Sequence, residues 1–143
     1  MEDFINAFRL KTREILVRCE STSELVASAE RIVNHGLSAS EHALLDGFGA
    51  TKRRHEYIAS RFLAKQTLAE FTDSPFEDWS IERRANGAAS LLRSGQSVAG
   101  LHISLSHSNG LCAVAVAVSG SEVGIDLQFN ESRARWTSID SLV

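Results

Sequence analysis

The sequence predicts an α+β fold, an antiparallel β-meander packed against helices on one side. Two observations carry this expectation. Residues 101–128 read as apolar strands separated by short polar turns, and residues 21–71 read as three helices with their own start and stop signals. One short strand, Glu14 to Cys19 (EILVRC), precedes them.

In chain order, Ser21, Thr22 and Ser23 offer hydroxyl caps before Leu25, Ala29, Ile32 and Val33, which recur at helical spacing, and Gly36 ends that helix. Ser38-Ala39-Ser40-Glu41 is a capping box opening a second helix, with Ala43, Leu44 and Leu45 as its apolar side, broken by Gly47 and Gly49. A third helix runs from about Thr51 to Phe71, and Pro75, the only proline, sits in the loop after it. The stretch WSIER within Phe76 to Arg84 reads as a strand, and Ala85 to Gly100, rich in Gly, Ala and Ser, as a loop. Leu101, Ile103 and Leu105 alternate with His102, Ser104 and Ser106, and Ser108-Asn109-Gly110 is a hairpin turn. Leu111 to Val118 is apolar on both faces and is expected as a central strand, its face of Ala113, Ala115 and Ala117 small enough for close helix packing. After a turn at Ser119-Gly120-Ser121, Val123, Ile125 and Leu127 alternate with Gly124, Asp126 and Gln128. Phe129 to Val143 shows no pattern.

The 143 residues suit a single domain over 1–143 with one core, and 43% hydrophobic with 23% charged residues marks a folded chain rather than a disordered one. A net charge of -3 excludes a globally basic nucleic-acid binder but not a local anion site, which depends on where charges sit. MEDFINAFRL has acids where a signal peptide needs bases, and no segment approaches the ~20 apolar residues of a membrane span. The expectation is a cytoplasmic protein with neither nucleic acid nor membrane as partner. Cys19 and Cys112 lie in apolar stretches and read as buried thiols, with no spacing that fits zinc.

Three constellations could carry chemistry. In the third helix, at about 100° per residue, Arg54, Arg61 and Lys65 fall on one stripe. Tyr57, Ile58 and Leu68 flank that stripe, and Glu56, Ser60 and Thr67 lie opposite. Bases on the apolar side fit a bound anion, and two arginines with a lysine suit phosphate oxygens; the alternative is a solvated basic face. In HISLSHSNG, His107 ends a strand, where a histidine is ordinarily satisfied by local hydrogen bonds. A Ser-His-Asp hydrolase built on Ser104 or Ser106 with His107 and Asp126 lacks the G-x-S-x-G elbow. In GIDLQ, Asp126 and Gln128 share a strand face among apolar neighbours, so the acid needs a partner. Magnesium fits, since it takes one or two carboxylates and completes its shell with water and substrate phosphate.

Together these pieces resemble the 4′-phosphopantetheinyl transferase superfamily in its larger two-lobed, surfactin-synthetase-activating type, and specifically its N-terminal lobe. The order matches: a K-R-R-x-E-[YF]-[IL]-A-x-R helix, then S-x-S-H-S, a turn, and V-G-I-D-L, over roughly Leu37 to Gln128. The resemblance implies transfer of 4′-phosphopantetheine from coenzyme A to a serine of an acyl or peptidyl carrier protein, with Mg2+. It places Arg54, Arg61 and Lys65 on the coenzyme A phosphate side. Ser106 and His107 match the serine–histidine pair that contacts those phosphates. Asp126 matches the first metal-binding acid, with Gln128 beside it, and Asp126 and His107 are then the catalytic residues.

The sequence departs from that pattern in three places. Gln128 stands where many members have Glu, and Gly87-Ala88-Ala89 where members often have Gly-Lys/Arg-Pro. Trp136 is followed by Thr-Ser-Ile-Asp rather than the W-x-x-K-E type motif of the second lobe, which supplies the family's general base, so the second lobe is expected to be absent. Activity then calls for a second chain, and a homo-oligomer is the simplest source. The competing expectations are a non-catalytic half-lobe that binds coenzyme A or a carrier protein without transfer, and an unrelated α+β binding module.

Overall fold

The structure is a computed structural model that describes residues 7–29, 36–83, 89–118, 124–130 and 133–140, the last two segments as backbone. Its elements are β1 (Ala7–Lys11), β2 (Ile15–Ser21), α1 (Thr22–Ala29), α2 (Ala39–Asp46), α3 (Thr51–Thr72), a 3-10 turn (Phe76–Asp78), β3 (Trp79–Arg83), β4 (Ala89–Arg93), β5 (Gln96–Ser97), β6 (Leu101–Ser108), β7 (Leu111–Val118), β8 (Gly124–Asn130) and β9 (Arg133–Asp140). This is the expected α+β architecture of antiparallel sheets with helices.

The uncharged run LCAVAVAV is the strand on which the rest is built. β7 pairs antiparallel with β2 on one side and β6 on the other, in a sheet of order β1-β2-β7-β6. A strand with neighbours on both edges and cover on both faces has no polar place to put, which is why this one reads as continuous apolar residues. The β6–β7 turn is Asn109-Gly110, both with positive φ (46 and 85), the pair a tight hairpin of right-handed twist requires. β8 and β9 form a separate two-stranded ribbon, with a register irregularity between Asp126 and Leu127, and β8 runs beside β6 and β7.

The helix packs on the opposite face of β7 from the one expected. Cys112, Val114 and Val116 join Tyr57, Ile58, Phe62, Leu63 and Leu68 of α3 in the main core. Ala113, Ala115 and Ala117 lie in a second cluster with Ile15, Val17 and Cys19 of β2. The alanines are small because their cross-strand partners are Cys19, Val17 and Ile15, which fill that face between them.

α3 is buried almost all round through its middle, so the expected polar side is not a solvent side. Ser60 and Thr67 are buried, their hydroxyls donating to Tyr57 O (3.1 Å) and Leu63 O (2.6 Å) of the same helix, which removes the cost of burying them. In α2 the expected apolar side also shifts: Leu45 is buried, whereas Ala43 and Leu44 are exposed and Glu41 is buried in their place. The helix ends are as read. Ser38 makes both bonds of the capping box with Glu41, and α3 closes at Asp73 in the left-handed region, two residues before Pro75.

The loop expected over 85–100 contains β4 and β5; β4 pairs with β3 on one side and β5 on the other in a small antiparallel sheet. β9 is a further strand within the tail read as patternless, and β1 is a strand in a stretch to which the sequence pattern assigns no element. Ile32, Val33, Gly87, Ala88 and the turn at 119–121 lie outside the described residues. Among the described residues no helix is long and apolar enough to cross a membrane. Cys19 and Cys112 are free, buried thiols, as expected, and they sit on opposite faces of the sheet.

Candidate functional site

The capping glutamate of α2 organises the polar interior. Glu41 is 2% exposed, and its Oε1 accepts from Ser38 N (2.9 Å) and Lys65 Nζ (2.6 Å). Its Oε2 accepts from Ile81 N of β3 (3.0 Å) and lies 3.8 Å from Arg61 Nε. One carboxylate thus ties α2, α3 and β3 together. Lys65, fully buried, also donates to Gly36 O. Burial pushes the Lys65 ammonium below its ordinary value, and the Arg61 charge adds to this, while Glu41 opposes both.

Two buried cations face this one acid, so the cluster carries a surplus positive charge. The surplus lies on Arg61. This residue is 4% exposed, its guanidinium stacks on the Tyr57 ring (4.5 Å), and its Nε has no hydrogen-bond partner. Arg61 lines two cavities. One, of about 210 Å³, lies between α3, β3 and β6 and includes Ile81, Glu82, Ile103 and Ser104. The other, of about 690 Å³, lies between α2, α3 and the end of β6, with Phe48, Arg53, Ser60 and His107 in its wall. A buried guanidinium with an unused donor beside an open cavity is suited to an anion.

The structure places the expected site residues as follows. Arg61 and His107 share the larger cavity. Arg54 is half-buried in the first turn of α3, one residue beyond Arg53, which lines that cavity and stacks on Phe48 at 5.4 Å. Lys65 is on the expected stripe, but its ammonium is directed onto Glu41 and Gly36 rather than onto either cavity. Ser106 is half-buried on β6, one residue before His107. Asp126 and Gln128 are on β8, the strand running beside β6; their side chains lie outside the described residues. Among the described residues no three His, Cys, Asp or Glu side chains are grouped to hold a metal.

Sequence reasoning missed Glu41, Glu56 and Arg53. Glu41 was accounted for by its capping role alone. Its signal was the pair Arg61 and Lys65 on an apolar helix side, since buried cations demand an acid.

The fold is that of the holo-[acyl-carrier-protein] synthases. The Bacillus anthracis str. Ames enzyme, solved in complex with CoA (3′,5′-ADP), superposes with a TM-score of 0.61 at 20% identity over 73% of this chain and 94% of that one. The Helicobacter pylori enzyme, in complex with coenzyme A, gives 0.56 at 22% identity, covering 73% and 99%. The Plasmodium yoelii enzyme gives 0.62 at 14%, covering 78% and 98%. No curated relative matches the sequence. The family model described as the 4′-phosphopantetheinyl transferase N-terminal domain matches residues 41–117, more than half of the 143. The chain belongs to the 4′-phosphopantetheinyl transferase family.

Proposed function

We propose that the chain binds coenzyme A at the cleft between α3 and the end of β6 and transfers its 4′-phosphopantetheine to a serine of an acyl or peptidyl carrier protein. The observation that carries this is Arg61, a buried surplus cation that lines the same cavity as His107 and whose Nε has no hydrogen-bond partner. Family membership supports transfer as the chemistry of this cleft. The Bacillus anthracis, Helicobacter pylori and Plasmodium yoelii synthases are covered over 94%, 99% and 98% of their own length, which supports the reading. A single domain over 1–143 is part of this proposal.

Arg61, Arg54, Ser106 and His107 bind and orient the phosphates, and Lys65 supports Arg61 indirectly by balancing Glu41. The charge on the leaving 3′,5′-ADP grows as the carrier serine displaces it at phosphorus, and cations already in place stabilise that charge. Asp126 and Gln128 would hold magnesium; one carboxylate and one amide oxygen suit a hard cation that completes its shell with water and phosphate oxygens. When bound, magnesium supplies further neutralisation of the pyrophosphate.

The test is intact-mass spectrometry of a panel of apo carrier proteins mixed with the chain, coenzyme A and magnesium. A gain of one phosphopantetheine, lost with Asp126→Ala, is expected. Gln128, an amide where many family members have an acid, favours a second reading, coenzyme A binding without transfer. No gain on any carrier, with calorimetric binding of coenzyme A retained, would select that reading and sink the first.

A further inference from the structure

The larger cavity contains a carboxylate that an anion site does not ask for. Glu56 lines it together with Arg53, Arg61 and His107. With two arginines in the same wall, a carboxylate would ordinarily pair with one of them. It does not. Arg53 lies over the Phe48 ring, and Arg61 lies over Tyr57 and against Glu41. The ion-pair partner of Glu56 among the described residues is His107, with Nδ1 3.7 Å from Oε2. The pair spans from α3 to the last turn of β6, where His107 opposes Cys112 of β7. Glu56 is 19% exposed at its side chain and His107 51%, so the acid is the held member and the imidazole the one that reaches solvent.

From this geometry we infer that Glu56 is a positioning residue for His107. It holds the imidazole by its Nδ1 edge and leaves Nε2 to the ligand phosphate. A ring whose Nδ1 faces a carboxylate carries its proton there, because a carboxylate only accepts. The ring is then fixed in rotation, and an imidazolium set between carboxylate and phosphate donates to both. Among the described residues the role falls to Glu56. From α3 the others lining the cavity with the ring are Arg53, Arg61 and Tyr57, and from β7 Cys112 lies opposite, none of which offers a carboxylate. The part concerning phosphate rests on the proposed function; the hold on the ring does not.

Two measurements test the inference separately. The first is the ¹⁵N spectrum of the His107 ring, assigned with His107→Asn, at a pH where imidazoles are neutral. The wild type is expected to carry its proton on Nδ1, and Glu56→Gln, which is isosteric, is expected to move it to Nε2. An unmoved proton overturns the inference, whatever coenzyme A does. The second is a double-mutant cycle on coenzyme A affinity by calorimetry. Glu56→Gln is expected to weaken binding about threefold to tenfold with His107 present and less than about twofold in His107→Asn. Equal losses in both backgrounds overturn the inference by showing that Glu56 acts independently of His107. A wild type that binds no coenzyme A overturns the proposed function, and the ring signature then decides the inference alone.

Discussion

At the scale of single residues, Glu41 is the side chain on which most depends. Its two oxygens receive three hydrogen bonds and a guanidinium, and every one of those donors is buried or part-buried. Removing one partner from a buried charge network leaves the others uncompensated, typically at a cost of about 3–5 kcal/mol. Glu41→Ala strands Lys65, Arg61 and the amide of Ile81 together, so a loss in that range is expected from urea denaturation. A loss below about 1 kcal/mol would mean that the cluster is open to water and that Arg61 carries no surplus charge. The sequence already placed Arg61 and Lys65 towards the apolar side of their helix, and both are buried. What it could not supply was the partner. Glu41 is brought to Lys65 by the packing of α2 on α3, a contact between separate elements that no local period records.

Among the elements, β7 shows how far pattern alone reaches. Its place at the centre of the sheet followed from eight uncharged residues, but the side taken by the helix did not follow from side-chain size. Small residues permit a helix to approach, and they equally complement bulky neighbours on the adjacent strand; here Ile15, Val17 and Cys19 decide the matter. Ala115→Leu therefore inserts a larger side chain opposite Val17 on a fully buried face. Overpacking of that kind costs about 1–3 kcal/mol and is expected as a lowered thermal midpoint. A neutral substitution would show that this face has room, against the burial found. The missed strands have a related explanation. β4 buries only Leu91 fully, so its alternation is too weak to read, yet Ser94-Gly95 after it adopts positive φ at both positions and forms the hairpin to β5. Ser-Gly was the available turn signal, and it was absorbed into the composition of a long loop. β1 and β9 are defined by pairing with β2 and β8, information that lies outside their own sequences.

For the molecule as a whole, a net charge of -3 leaves the binding of a polyanion such as the proposed coenzyme A to local charges, and Arg61 is a buried cation that lines the proposed cleft. Glu41 and Lys65 already make a one-to-one pair at 2.6 Å, and Arg61 is the third charge beside them. On the proposed reading, Arg61 serves the ligand more than the fold. Arg61→Met tests this directly, since methionine keeps packing against Tyr57 and removes only the surplus charge. Its stability without ligand is expected to equal or slightly exceed that of the wild type, because Lys65 is relieved of a like charge that disfavours its ionised form. With coenzyme A at about 100 times its dissociation constant, the wild type is expected to gain about 2.7 kcal/mol and a correspondingly higher thermal midpoint. The variant at the same concentration is expected to gain little. The reverse result, a variant several kcal/mol less stable that coenzyme A still stabilises fully, would make Arg61 a structural partner of Glu41 and move the phosphate site elsewhere in the fold.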